Sequence, residues 1–397
     1  MSKRHSSKDD LQSKIIRIQE IILSHSGVDD FYEIFRFIIL KHLCEKTGDI
    51  QLPSFKQANK MLAAYQDKVG VVLDEGILLQ SGEEVYNLVS DEVATLNVTA
   101  QDLSALDSLF EFLTNKIYKS NKGQFFTPRH VVDMCVEILA PAPHETICDP
   151  ACGSGAFLKS ANTYQLKHHA KFGKMFAFDY SLRACQVARV MSLLTEECDI
   201  TVHNVDSLNM HSSLFPQPNS TTIESLMGED FKGFDIILTN PPFAGDVSSE
   251  VYSQSYDLAQ QNNRKLERDV LFIERCINLL APNGRMAIVL PDNKVSGKGF
   301  SGVRNWIMRR AKILGVVSLH RYTFLPHTSQ KAAILFLQKI DKMAQIPDYQ
   351  INLFRSDKPG KTSNGSMLFK GQEYADLPPY LALDHDLDEI VQQWKSV

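Results

Sequence analysis

Apolar residues recur at helical spacing along the first 120 residues. In residues 11–27 they lie mostly three and four positions apart, and Gly27 ends the pattern. The segments 31–46 and 103–119 repeat this spacing. The pattern predicts an N-terminal helical domain over residues 1–120, with a role in packing or interaction rather than in chemistry.

After residue 120 the pattern changes to short apolar runs that alternate with amphipathic segments. The runs are 145–149, 174–179, 199–204, 234–240, 285–291, 313–320 and 332–339. Strands separated by helices indicate a mostly parallel sheet with helices on both faces. We predict an α/β, Rossmann-like domain over residues 121–340, followed by a weakly patterned C-terminal tail, 341–397, that could dock a partner. Ligands of such sheets bind at the carboxyl ends of the strands.

Composition and charge narrow the function classes. Hydrophobic residues make up 44% and charged residues 22%, as in ordinary globular proteins. The absence of a long apolar run predicts no transmembrane helix, and the polar first ten residues predict a cytoplasmic protein. The seven cysteines form no CxxC pair, so we expect no metal site and no disulfide framework. A net charge of −5 indicates that any DNA contact is locally basic or is supplied by a partner.

A glycine-rich turn follows the first predicted strand. It contains Asp149, Gly153 and Gly155, and a helix begins near Ala156. Glycine permits close approach of the backbone to a ligand, and a helix N-terminus offers unpaired N–H groups. The turn matches neither the dinucleotide GxGxxG pattern nor a phosphate-binding P-loop. It favours a nucleoside that has an amine to pair with a carboxylate.

Acidic residues also end the second and third predicted strands. Asp179 comes 26 residues after Gly153 and can accept both ribose hydroxyls of a nucleoside, or alternatively cap the following helix. Asp206 can accept from an adenine amine. Ribose, adenine and a methionine tail lying across three strand ends fit S-adenosylmethionine as the cofactor.

The fourth predicted strand ends in Asn240, Pro241, Pro242 and Phe243. The Asn240 side-chain oxygen and the Pro241 carbonyl can accept the two hydrogens of an aromatic exocyclic amine, which favours a more tetrahedral nitrogen in the transition state. The fixed φ of proline makes this pair of acceptors rigid. Phe243 can stack on a planar base. The other interpretation is a plain turn, because Asn-Pro and Pro-Pro are common turn formers.

Several of these blocks together resemble one family. GQFFTPRHVVDMCVEIL (123–139), DPACGSGAFL (149–158) and NPPF (240–243) are similar to the entry motif, cofactor turn and catalytic motif of N6-adenine DNA methyltransferases. Their order is that of the gamma class, and the resemblance is closest to the modification subunit of type I restriction–modification systems. Two positions depart from the family: Asp179 stands where Glu is more common, and Ala156 where a further glycine often occurs.

The resemblance implies roles for residues that the pattern alone does not assign. Phe126, Thr127 and Pro128 are expected to contact the methionine end of the cofactor. The implied activity is methyl transfer from S-adenosylmethionine to the exocyclic amine of a flipped adenine in double-stranded DNA. The implied partners are a separate DNA-specificity subunit and a restriction–translocase subunit.

Three alternatives remain open from the residues. The acceptor could be an RNA base or a protein glutamine, or the chain could be a cofactor-binding scaffold without catalysis in a defence complex. Residue logic also does not separate an adenine amine from a cytosine amine. A polar stretch at 293–306, with Lys294, Lys298 and Arg304, is a candidate for contact with DNA phosphates.

Overall fold

The computed structural model describes residues 5–49, 51–96, 98, 126–195, 198–210, 221–243, 245–247, 252, 255–261, 266–341, 348–371 and 381–396. The predicted helix at 103–119 and the first residues of the 123–139 motif lie outside these ranges. The chain divides into two compact units, residues 1–120 with 186–196 and residues 121–185 with 197–397. The three-part domain division drawn from the sequence stays a prediction.

The first unit is helical in its described residues. Its helices are α1 (His5–His25), α2 (Asp30–Thr47), α3 (Phe55–Val69) and α4 (Gly82–Ala94). The ends of α2 follow from local chemistry: the Asp29 side chain accepts from the Phe31 N–H, and Gly48 ends the helix in the left-handed region at φ +81°. The core of this unit includes Ile22, Phe35 and Val89.

The second unit alternates strands and helices, as the apolar runs predict. In chain order its elements are α5 (Arg129–Leu139), β1 (Ile147–Asp149), α6 (Ala156–His169), β2 (Met175–Asp179), α7 (Leu182–Leu194, of which residues from 186 belong to the first unit), β3 (Ile200–Asn204), α8 (Ile223–Met227), β4 (Phe234–Thr239), β5 (Asp246–Val247), α9 (Asp257–Gln261), β6 (Leu266–Glu267), α10 (Arg268–Leu279), β7 (Leu280–Pro291), α11 (Asp292–Ser296), a 3₁₀ turn (Lys298–Phe300), α12 (Ser301–Met308), β8 (Ala311–Ser318), β9 (Ala332–Lys339), β10 (Asn352–Arg355) and α13 (Leu387–Ser396).

Eight of these strands form one sheet in the order β10-β8-β9-β7-β4-β1-β2-β3. Neighbouring strands are parallel except at β9, which is antiparallel to both β7 and β8. Strand order reverses between β1 and β4, because β1 leads to β2 and β3 on one side while β4 lies on the other. The carboxyl ends of β1, β2, β3, β4, β7 and β8 therefore share one edge of the sheet, with the crevice at the switch point.

The residues that the sequence treats as a tail contribute to this sheet and its cover. Strand β10 pairs in parallel with β8, and the Trp394 ring of α13 lies 4.8 Å from the Phe336 ring, centroid to centroid. Gly315 makes room for this packing, because a Cβ there would lie 2.5 Å from the Trp394 ring. Among the described residues, no helix has both the length and the apolar character to cross a membrane.

Candidate active site

The turn after β1 is built from a buried acid and two glycines in left-handed conformations. Asp149 is buried, and its carboxylate accepts from the Ala151 N–H at 3.0 Å. Gly153 and Gly155 have φ values of +52° and +77°, which favour glycine. A Cβ added at Gly153 would meet no described atom within 4 Å. The turn therefore leaves open space beside the Gly153 Cα, directly before α6 begins.

Asp179, at the end of β2, is tied to this turn. Its carboxylate accepts from the Gly153 N–H at 3.0 Å through one oxygen, and from the Ser181 N–H at 2.8 Å through the other. The second contact is a helix-capping interaction, which is the other interpretation of Asp179 that the sequence left open. Because each carboxylate oxygen can accept more than one hydrogen bond, this cap does not prevent Asp179 from binding ribose hydroxyls.

Asp206 follows β3 at the same edge of the sheet. One carboxylate oxygen accepts from the Leu208 N–H at 3.0 Å, and the other from the Tyr252 hydroxyl at 3.0 Å. The Asn204 amide, just before it, donates to the backbone carbonyls of Asp179 and Tyr180, both at 2.9 Å. The ends of β2 and β3 are thus fixed to one another, and the acids at 179 and 206 lie on neighbouring strands.

The catalytic-motif residues begin where β4 ends. The Asn240 side chain donates its amide N–H to the Thr127 hydroxyl at 2.9 Å, which joins two predicted motifs 113 positions apart. This hydrogen bond uses the amide nitrogen of Asn240. The amide oxygen is the atom of this side chain that can accept a hydrogen bond. Pro241 is buried and Pro242 is partly buried. The motif is therefore held between the sheet and the segment that precedes α5.

Of the three predicted entry-motif residues, Thr127 is joined to the catalytic motif by the hydrogen bond to Asn240. Pro128 is the residue before the first turn of α5, and Phe126 is half-buried next to it. The structure thus brings Thr127 to Asn240. The cofactor contacts expected of Phe126 and Pro128 remain predictions.

Phe243 has an aromatic neighbour that the sequence analysis did not identify. The rings of Phe243 and Phe324 pack edge to face, with centroids 6.2 Å apart and planes at 66°. Phe324 is buried and lies between β8 and β9, at the same sheet edge. An aromatic residue just after a predicted parallel strand was the signal that could have indicated it. This packing restrains the ring proposed to stack on a base.

The candidate DNA-contacting stretch at 293–306 is mainly helical and is partly used internally. Lys294 is buried and forms ion pairs with Glu267 and Asp269, the latter at 3.6 Å. Arg304 donates to the carbonyls of Val295 and Gly297 at 3.2 and 2.7 Å. Of the three basic residues named there, Lys298 is the exposed one. The sequence pattern could not distinguish internal from exposed charges.

The two acids nearest the glycine turn favour a cationic ligand. Burial raises the pKa of Asp149 to about 7, the hydroxyl of Thr239 and the N–H of Ala151 oppose this rise, and the neighbouring Asp179 adds to it. Burial also raises the pKa of Asp179, while the N–H groups of Ser181 and Gly153 lower it. A positive charge at the turn would favour both ionised forms. These residues fit S-adenosylmethionine, which carries an ammonium and a sulfonium group.

Comparison with known proteins agrees with this geometry. Over 249 residues the chain is 26% identical to the EcoEI type I restriction enzyme methylase subunit of Escherichia coli, covering 61% of this chain and 48% of that subunit. It is 24% identical over 251 residues to the type II methyltransferase M.VspI of a Vibrio species, covering 63% and 52%. The chain spans about half the length of these curated relatives.

Solved structures share the fold. The methyltransferase subunit of a type I restriction–modification system from Streptococcus thermophilus superposes with a TM-score of 0.63 at 17% identity, covering 98% of this chain and 93% of that one. A Listeria monocytogenes protein assigned to the class I S-adenosylmethionine-dependent methyltransferases gives a TM-score of 0.62 at 14% identity, covering 98% and 99%. The predicted fold class is confirmed.

The family follows from a match along most of the chain. Residues 101–373 match the model of the family described as N-6 DNA Methylase, which is more than half of the 397 residues. The predicted resemblance is thereby confirmed, and S-adenosylmethionine, the predicted cofactor, is the cofactor of this family and fold. With the glycine turn, the acidic strand ends and the Asn240 motif at one sheet edge, the chain belongs to the N-6 DNA methylase family.

Proposed function

We propose that this chain is an adenine-specific DNA methyltransferase that acts as the modification subunit of a restriction–modification complex. The hydrogen bond between Asn240 and Thr127 is the observation that carries the proposal. It fixes the Asn240 amide at the end of β4, and β4 is the neighbour of β1, the strand that leads into the glycine turn. When bound, S-adenosylmethionine supplies an activated methyl group on a sulfonium centre, so no strong general base is needed. The remaining work belongs to side chains and backbone carbonyls of this chain.

Each site residue has a defined task in this proposal. Asn240 and the Pro241 carbonyl accept the amine hydrogens and favour a tetrahedral nitrogen. Phe243, restrained by Phe324, offers a face to the extruded base, since a duplex hides the adenine amine within the stack. Asp149, Asp179 and Asp206 hold the cofactor through its amine, ribose and adenine.

Double-stranded DNA and other subunits are part of the proposal. The net charge of −5 and the internal use of Lys294 and Arg304 support a DNA-binding surface supplied largely by a separate specificity subunit. A restriction–translocase subunit is a further proposed partner. The names of the two curated relatives above, a type I restriction enzyme methylase subunit and a type II methyltransferase, favour DNA over an RNA base or a protein glutamine.

The test is transfer of labelled methyl from S-adenosylmethionine to duplex DNA. The chain is assayed alone and together with the products of its neighbouring genes, and the labelled nucleoside is identified after digestion. Label in N6-methyladenine that requires a partner supports the proposal, whereas label in N4-methylcytosine corrects the base. Label confined to RNA or protein refutes the DNA substrate.

The Asn240→Ala variant tests the catalytic assignment. We expect its transfer rate to fall by about 10²–10³-fold, because it removes one of the two acceptors for the developing charge. Asn305→Ala, at an exposed position of α12, is the matched control and should keep the wild-type rate. An unchanged rate for Asn240→Ala would refute the catalytic role of Asn240, whereas no transfer by wild type under any condition would favour a scaffold without catalysis.

A further inference from the structure

Described residues after the catalytic motif contact the cofactor side of the sheet. Strands β5 and β6, which lie before and after these residues in the chain, pair antiparallel. Two tyrosines among these residues are buried against the loop after β3. The Tyr252 hydroxyl donates to the Asp206 carboxylate at 3.0 Å, and the Tyr256 hydroxyl donates to the Leu208 carbonyl at 2.8 Å.

The same loop is also held by a buried arginine. Arg275 of α10 donates through Nε to the Ser207 carbonyl at 2.6 Å. Its guanidinium also forms two hydrogen bonds to the Glu224 carboxylate, at 2.5 and 2.9 Å. The backbone around Asp206 is thus fixed, and the orientation of the Asp206 carboxylate is set by the Leu208 N–H and the Tyr252 hydroxyl.

Tyr252 is well suited to remain a donor. Burial raises the pKa of its hydroxyl, and the nearby Asp206 raises it further, so the group keeps its proton at any ordinary pH. A protonated phenol donates to only one acceptor, and here that acceptor is an acid at a strand end. The contact orients the carboxylate without occupying all of its lone pairs.

We propose that Tyr252 is a positioning residue that aims the Asp206 carboxylate at the adenine amine of the cofactor and so sets the selectivity for adenine. This rests on the proposed function, in which Asp206 faces that amine. Because linkage is reciprocal, binding of the adenine amine to Asp206 also stabilises the hydrogen bond from the Tyr252 hydroxyl to Asp206. Tyr252 lies 12 positions after Asn240, so the contact joins cofactor recognition to the segment that continues from the catalytic motif.

The test compares two ligands that differ at the adenine amine. S-Adenosylhomocysteine and S-inosylhomocysteine, which carries an oxygen in place of that amine, are titrated calorimetrically into wild type and Tyr252→Phe. Wild type should prefer the adenosine ligand by at least about tenfold, since a site built for an amine rejects an analogue that leaves its acceptor unpaired. In Tyr252→Phe the adenosine ligand should bind about five- to tenfold more weakly, while the inosine ligand changes little.

Equal weakening of both ligands, or no weakening of either, would overturn the proposal, because a general loss of structure does not act on the amine alone. Tyr164→Phe, a tyrosine of α6 away from this loop, is the matched control. In an Asp206→Asn background, the further change Tyr252→Phe should add less than twofold; a full additional effect contradicts a role through Asp206. If wild type binds neither ligand, the proposed function itself fails, which is a separate outcome.

Discussion

The buried carboxyl of Asp149 implies a measurable pH dependence of stability. Burial raises its pKa from the ordinary 3.8 to about 7. The folded protein therefore holds this proton more tightly than the unfolded chain does. The resulting stabilisation is fully present below pH 3.8 and is lost as the pH rises through about 7. Three powers of ten in proton affinity correspond to about 4 kcal/mol.

The Asp149→Asn variant keeps the shape of the side chain and removes its ionisation. We expect the free energy of unfolding of the variant, minus that of wild type, to increase by about 4 kcal/mol between pH 4 and pH 8. The difference isolates Asp149 from other buried acids that titrate in the same range. Urea unfolding followed by tryptophan fluorescence suits this measurement, because both tryptophans, Trp306 and Trp394, lie in the unit that contains Asp149.

The control and the refuting result are equally direct. Asn305→Ala, at an exposed position without an ionisable group, should give a difference that does not change with pH. A flat difference for Asp149→Asn as well would mean that burial does not perturb this carboxyl, and the argument for a cationic ligand at the turn would lose its electrostatic basis. With wild type, the affinity for S-adenosylmethionine should increase as the pH rises toward 7, by up to about tenfold per pH unit, and Asp149→Asn should reduce this dependence to the part that Asp179 contributes.

Two further substitutions test the supports of the site. Arg275→Met should lower the free energy of unfolding, measured in urea, by about 3–5 kcal/mol, because buried carbonyls lose their donor. Arg309→Met, at an exposed position, should lower it by less than about 0.5 kcal/mol. Similar values for the two variants would contradict the role of burial. Thr127→Val should slow single-turnover methyl transfer about three- to tenfold, because it releases the Asn240 side chain. Thr163→Val on α6 should keep the wild-type rate. Equal rates for wild type and both variants would exclude an orienting role of Thr127.

The sequence predicted the elements better than the contacts. The apolar runs located the strands β1 to β4 and β7 to β9. Most of these strands are buried, and a buried strand leaves a short, bounded apolar signature. Strand β10 was missed, since its exposed Leu353 alternates with partly buried neighbours at a sheet edge. Helix α13 was missed because its anchor, Trp394, packs on Phe354 and Phe336, which lie about 40 to 60 positions earlier.

The candidate site shows the same limit. Motif positions at strand ends follow from local pattern, and the structure places Asp149, Asp179, Asp206 and Asn240 at one edge as that pattern implies. The partners of these residues could not be predicted, because a hydrogen bond such as Asn240–Thr127 depends on strand order and not on sequence spacing. The contacts of Phe324 with Phe243 and of Tyr252 with Asp206 could not be predicted for the same reason.

Charge along this edge of the sheet is divided in a way that suits two ligands of opposite sign. Asp149 and Asp179 are the last residues of β1 and β2, and Asp206 follows β3, where the proposed function puts a cation. The residues that follow β4 are an amide, two prolines and a ring, and those that follow β8 include His320 and Arg321. A polyanion brought against the first half would be repelled, whereas the second half offers neutral and basic groups, and Asp292, the acid that follows β7, is paired with Lys331 at 3.4 Å. The proposed direction of transfer, from the β1–β3 half to the β4–β8 half, is therefore the one that the local charges favour, even though the chain as a whole is acidic.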